Sequence, residues 1–189
     1  MYKQGEFLVM LMKRFLFAFS VLFILLASTL IQWGGISVVK AAPDIHQGDL
    51  VLQGNNVTII EGRFDINGSI TVEENATLIL RNAIVNFTQA EDKQFNMTFR
   101  NPANGNPRLK MENSTVTHTA YNTEITFFGN SSADINNSTF PWGMLLRMYD
   151  SSFASISNSS MYFIDLWGYS TVNLSNFTIL THEVICYQN

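Results

Sequence analysis

One short pattern recurs along this chain and limits what the chain can fold into. It reads apolar, any, apolar, any, Asn, any, Ser/Thr, apolar. The copies are Leu78-x-Leu80-x-Asn82-x-x-Val85, Leu109-x-Met111-x-Asn113-x-Thr115-Val116, Ala133-x-Ile135-x-Asn137-x-Thr139-Phe140, Ala154-x-Ile156-x-Asn158-x-Ser160-Met161 and Val172-x-Leu174-x-Asn176-x-Thr178-Ile179. An earlier copy, Val57-x-Ile59-x-Glu61-x-x-Phe64, carries Glu at the Asn position. The anchors at 61, 82, 113, 137, 158 and 176 are separated by 21, 31, 24, 21 and 18 residues. Period-two alternation within each copy predicts strands with one apolar face. A unit this short has no interior of its own, so it buries that face only by stacking on the next unit.

A second apolar pair precedes each copy. Ile70/Val72, Ile125/Phe127, Leu146/Met148 and Ile164/Leu166 each end six residues before the first apolar position of the copy that follows. Val51 lies six before Val57, and Met97/Phe99 precede Leu109 by way of the loop-forming run Asn101-Pro102-Ala103-Asn104-Gly105-Asn106-Pro107. Two or three short strands per turn, stacked turn on turn, make a parallel β-helix. In such a stack equivalent residues of neighbouring coils stand about 4.8 Å apart, which disfavours like charges in one outward column. The pairs this register juxtaposes are Arg81 with Glu112, Lys110 with Asp134, and Arg147 with Asp165, all of opposite sign.

These repeats resemble the secreted right-handed parallel β-helix proteins of the pectin-lyase-like superfamily. The resemblance covers about Val51 to the C-terminus, and the variable coil length is similar to the right-handed type. It implies an all-β solenoid of about six coils. It does not imply one activity, because lyases, glycosidases, adhesins and surface-layer proteins share this architecture.

Composition divides the chain near Ala41/Ala42. Residues 1–41 hold four of the eleven Lys/Arg and one of the fifteen Asp/Glu, and 42–189 hold seven and fourteen, a net of −7. Lys13 and Arg14 precede an apolar run from Phe15 to Ile31, and Val39-Lys40-Ala41 offers small residues around a cleavage point after Ala41. Residues 1–41 are therefore expected to be an apolar helix, read either as a secretory signal peptide or as an uncleaved anchor crossing the membrane through 13–39. Either way the body, 42–189, is exported with Lys13 and Arg14 inside. An acidic body with no cationic stripe excludes nucleic acid as a partner. Cys186, the single cysteine, excludes a disulfide framework.

Three groups of residues stand out as candidates. Asn82, Asn113, Asn137, Asn158 and Asn176 form a column expected to be an inward ladder of amides at a turn. Asn-x-Ser/Thr occurs twelve times, and Asn67, Asn75 and Asn130, in turns, are the best acceptors for glycosylation. Phe128, Tyr149 and Trp167 share one outward column, which suits a sugar or protein contact, or self-stacking that stabilises the coils. Trp142, Tyr162 and Tyr169 sit in nearby turns.

No cofactor, metal set or catalytic residue is indicated. Asp134, Asp150 and Asp165 fall in different columns, and His46, His118 and His182 share no repeat position. Cys186 falls at an inward position and is expected to be a buried, inert thiol. The last coil reads as unfinished, so a carbohydrate on the surface or another protein chain at an open C-terminal end are the expected partners. The function expected is an exported structural or binding protein, adhesin-like or surface-layer-associated. The alternative is a fragment of a polysaccharide-active enzyme, lyase or glycosidase, on the same scaffold.

Overall fold

The computed structural model describes residues 35–40, 45–102, 104–119, 122–180 and 184–187. Most of the expected leader, including its apolar run and the Ala41 cleavage point, lies outside the described residues, as does His182. Among the described residues there is no helix, and none is long and apolar enough to cross a membrane.

The strands are β1 (Ile36–Lys40), β2 (His46–Gln47), β3 (Leu50–Leu52), β4 (Val57–Asn67), β5 (Ile70–Glu73), β6 (Thr77–Phe87), β7 (Asn96–Arg100), β8 (Arg108–Glu112) and β9 (Thr115–His118). They continue as β10 (Thr123–Phe127), β11 (Ser132–Asn136), β12 (Thr139–Met148), β13 (Phe153–Ser157), β14 (Ser160–Trp167), β15 (Thr171–Ser175), β16 (Thr178–Ile179) and β17 (Val184–Tyr187). Every pairing is parallel and joins a strand to its equivalent one coil away. The chain is a parallel β-solenoid of about seven turns. One face runs through β3, β5, β7, β10, the second half of β12, the second half of β14 and β17. A second runs through β1, the first half of β4, the first half of β6, β8, β11, β13 and β15. The third runs through β2, the second halves of β4 and β6, β9, the first halves of β12 and β14, and β16. The first strand, Ile36–Lys40, lies within the span assigned to the leader and pairs with Val57–Glu61.

Inside, the apolar columns stack as the repeat requires. Leu78 meets Leu109, which meets Ala133 and then Ala154, and Leu80, Met111, Ile135 and Ile156 form the next column. All eight are buried. Val72, Phe99, Phe127 and Met148 form a column on the first face, where the Phe99 and Phe127 rings stack at 4.5 Å and 6°. In the last described coil Leu174 is 41% exposed and Val184 44%, although both keep their column positions.

The earliest copy departs from the expected register by one residue. Thr58 and Ile60 face the core, not Val57 and Ile59, and Leu50 and Leu52 point inward while Val51 is exposed. The run Val57-Thr58-Ile59-Ile60 is apolar on both faces, so alternation alone permits either register. The pairing shifts between Glu61 and Gly62: Gly62 follows Glu61 as Asn82 follows Arg81, but Gly62 itself pairs with Ala83, so this corner has one residue fewer than the next.

Phe127 fills the centre of the stack on both sides. Phe127→Ala is expected to destabilise the solenoid by about 3–5 kcal/mol, a transfer loss plus a cavity that rigid neighbouring coils do not refill. An unchanged midpoint in chemical denaturation would contradict this packing.

Candidate functional site

From β4 onward the described coils turn one corner at a residue with left-handed backbone. Asn82, Asn113, Asn137, Asn158 and Asn176 have φ of 48, 49, 47, 49 and 45°, and Gly62 occupies the same corner with φ 76°. Asn tolerates this conformation better than other residues with a side chain, and Gly tolerates it freely. The side chains of these five Asn point out, not in, and all are exposed. A partial outer ladder joins them: Asn137 Nδ2 donates to Asn113 Oδ1 at 2.6 Å and Asn176 Nδ2 to Asn158 Oδ1 at 2.7 Å. Asn158 Nδ2 donates instead to Asn136 Oδ1 at 3.1 Å.

The inward ladder belongs to the next residue. Ser114, Ser138 and Ser159 are buried. The Ala83 amide donates to Ser114 Oγ at 2.9 Å, Ser114 N to Ser138 Oγ at 3.2 Å, and Ser138 N to Ser159 Oγ at 3.0 Å. Each hydroxyl in turn donates to the carbonyl two residues before it, at 2.7, 2.7 and 2.6 Å. A left-handed residue rotates the chain so that the following side chain, not its own, enters the core. The repeated Asn-Ser dipeptide carried this signal.

A second left-handed corner comprises Gly54, Glu74, Gly129, Asp150 and Gly168. Here carboxylates brace neighbouring coils: Glu74 Oε2 accepts from Gly54 N at 2.7 Å and Asp150 Oδ2 from Gly129 N at 3.1 Å. Asp150 is thereby accounted for as a turn residue.

Beside that corner runs one outward column with a change of chemistry partway along it. It begins as Gln53, Glu73 and Arg100 and continues as Phe128, Tyr149, Trp167 and Tyr187. Gln53 Nε2 donates to Glu73 Oε2 at 2.9 Å, and Arg100 forms an ion pair with Glu73. The rings follow in stacked order: Phe128 on Tyr149 at 4.9 Å, Tyr149 on Trp167 at 6.0 Å and Trp167 on Tyr187 at 3.9 Å, with interplanar angles of 11, 19 and 17°. Tyr187 extends the column that the sequence placed in three coils. The inner ring faces cover one another, so the column presents ring edges outward. Phe128 also lines a recess with Glu73, Arg100, Asn101, Pro102, Gly129 and Asp150. Trp142 is 65% exposed and meets Tyr162 edge-on at 5.9 Å, while Tyr169 is 83% exposed.

The outer side of the second face carries charge. Its columns place Arg81 beside Glu112, and Lys110 beside Asp134, as the register requires. Only the third expected pair closes: Arg147 Nε lies 3.5 Å from Asp165 Oδ2, on the first face, where Arg147 also meets Glu124. Arg81 turns the other way, to Glu61 at 3.5 Å. Arg81, Lys110, Glu112 and Asp134 together line one groove of about 370 Å³. The sequence did not bring these four together as a cluster, because their columns are adjacent only across strands.

Asn67, Asn75 and Asn130 are exposed; Asn75 and Asn130 lie in turns, but Asn67 ends β4 and its Nδ2 donates to Gln47 Oε1 at 3.0 Å. Asn86, another Asn-x-Thr position, is buried, and its Nδ2 donates to Asp65 Oδ1 at 2.6 Å. His118 Nε2 lies 2.8 Å from the Trp142 carbonyl, and His46 packs against Phe64. Cys186 continues the column of Leu166, as expected, but is exposed rather than buried. Among the described residues no group of His, Cys, Asp and Glu is arranged to hold a metal ion. No family model, curated protein or solved structure matches this chain.

The corner geometry separates two roles. Asn137→Gly should leave stability nearly unchanged, whereas Asn137→Ala should cost about 1–2 kcal/mol for left-handed backbone. Ser138→Ala should cost about 1–3 kcal/mol because it leaves the buried Ser114 amide unpaired. Equal losses for Asn137→Gly and Asn137→Ala would make the Asn amide, not the backbone, the stabilising element.

The Gln53 amide holds the Glu73 carboxyl below the usual carboxylate range against its burial, and Arg100 adds to the effect. A depressed folded pKa contributes stability that is full above the unfolded value of about 4.3 and fades as pH falls through the folded value. The stability advantage of the wild type over Glu73→Gln should therefore shrink below about pH 4 in denaturant titrations. A constant difference from pH 7 to 3 would remove the charged pair from the account.

Proposed function

We propose that this chain is an exported structural or binding protein, adhesin-like or surface-layer-associated, displayed at the cell surface or secreted. The observation that carries the reading is the outward column Phe128–Tyr149–Trp167–Tyr187, a regular aromatic edge on a rigid solenoid. Stacked rings of this kind stabilise by about 0.5–1.5 kcal/mol per pair, and their edges and terminal faces offer a carbohydrate or a protein an apolar strip. Export is proposed from the basic, apolar leader, with either a cut after Ala41 or retention as an anchor. Asn67, Asn75 and Asn130 are the proposed glycan acceptors where the host modifies such sites.

The test uses the exported protein. Its N-terminal sequence and glycopeptide masses report the leader and the three Asn. Pull-down on a panel of insoluble polysaccharides and on cell-surface extracts is expected to show retention that falls at least about tenfold in Tyr149→Ala/Trp167→Ala, provided the melt confirms that the variant is folded. Retention unaffected by both changes would sink the role given to the column.

A second reading has one observation in its favour. Arg81, Lys110, Glu112 and Asp134 face one groove, and carboxylates beside basic residues are what a polysaccharide-active enzyme on this scaffold requires. Release of reducing ends or unsaturated products from a polysaccharide panel, lost in Asp134→Asn, would establish it. No release from any polymer would leave the binding reading alone.

A further inference from the structure

The body has seven Lys/Arg, and five of them are ion-paired. Arg63 holds Asp65, Arg81 holds Glu61, Lys93 holds Glu124, Arg100 holds Glu73, and Arg147 holds Glu124 and Asp165. Among the described residues Arg108 and Lys110 form no ion pair. On a body of net charge −7, carboxylates are twice as numerous as cations, so two neighbouring cations left over are unexpected.

Both stand on β8, two residues apart, and therefore on the same outward side of the second face. Both line a groove of about 310 Å³ with Ser132, Asp134 and Phe153. Arg108, Ser132 and Phe153 are equivalent positions in three successive coils. Coil spacing puts the Arg108 and Phe153 backbones about 10 Å apart, with a small serine between them. A ring seated over Ser132 stands one coil spacing, about 4.8 Å, from the Phe153 column position. Phe153 is 40% exposed on its rim and stacks on no other ring among the described residues. Ser132 Oγ donates to Asn106 Oδ1 at 3.3 Å, which fixes the floor. The groove's charged side chains sum to one positive charge, from Arg108, Lys110 and Asp134.

We propose that Arg108, Lys110 and Phe153 form a binding site for an oxyanion carried on a ring, such as a sulfated or phosphorylated sugar. The guanidinium and ammonium hold the anion, with the planar guanidinium able to engage two oxygens. The ring lies over Ser132 with its apolar face against Phe153. Asp134 borders the anion and weakens its binding. This site lies on a different face from the aromatic column and does not depend on that column's role.

The test is ligand titration of the folded body by NMR with three probes: glucose 6-sulfate, glucose and inorganic sulfate. Glucose 6-sulfate is expected to bind tightest and to shift resonances of Ser132, Phe153 and Ser155. Its affinity should fall at least about tenfold in Arg108→Ala/Lys110→Ala and rise in Asp134→Asn. These side chains are exposed, so the variants should melt like the wild type. Equal affinity for glucose and glucose 6-sulfate would remove the anion from the site. Equal affinity for sulfate and glucose 6-sulfate, or no loss in Phe153→Ala, would remove the ring. Any of these results would overturn the proposal.

Discussion

The left-handed corner is the constraint on which the rest of this solenoid depends. Every coil must reverse the direction of its apolar face without breaking the parallel ladder. A single residue with φ near 48° does this and aims the next side chain inward. Once the corner is fixed, the columns before and after it are fixed too, because a one-residue slip would send an apolar set to solvent. The buried Ser114, Ser138 and Ser159 then satisfy backbone amides that the corner removes from the ladder.

The surplus of Asn-x-Ser/Thr in the repeat follows from the same corner. At 113, 137 and 158 the Asn is the left-handed residue and the Ser after it is the inward ladder. The Thr or Ser that follows opens the next strand on its outward side. Those three positions are accounted for by fold geometry, and their Asn side chains are exposed. Asn67, Asn75 and Asn130 lie outside that corner, Asn67 at the end of β4 and the other two in turns.

Much of the architecture was legible because period-two alternation is a strong signal when it recurs. Leu109/Met111, Ala133/Ile135 and Ala154/Ile156 stack as the pattern demanded. The first coil was misread where Val57 to Ile60 offers apolar residues to both sides and Thr58 disguises an inward position. The Asn column was located but aimed wrongly, since sequence position does not tell whether a corner residue or its successor enters the core. Charge partners were legible only as neighbours. Arg81 chose Glu61 over Glu112, and Lys110 left Asp134 open, because long side chains select among coils above and below. The groove around Arg108 and Phe153 was not legible, since it depends on three residues brought together from three coils.

The central claim is the coil-to-coil register. It is tested most directly by electron paramagnetic resonance with spin labels at Asp134→Cys and Ser155→Cys in a Cys186→Ser background. These two positions are partners in adjacent coils. The account predicts strong spin–spin broadening, as for backbones about 4.8 Å apart. Spectra identical to the sum of the two singly labelled proteins would contradict it.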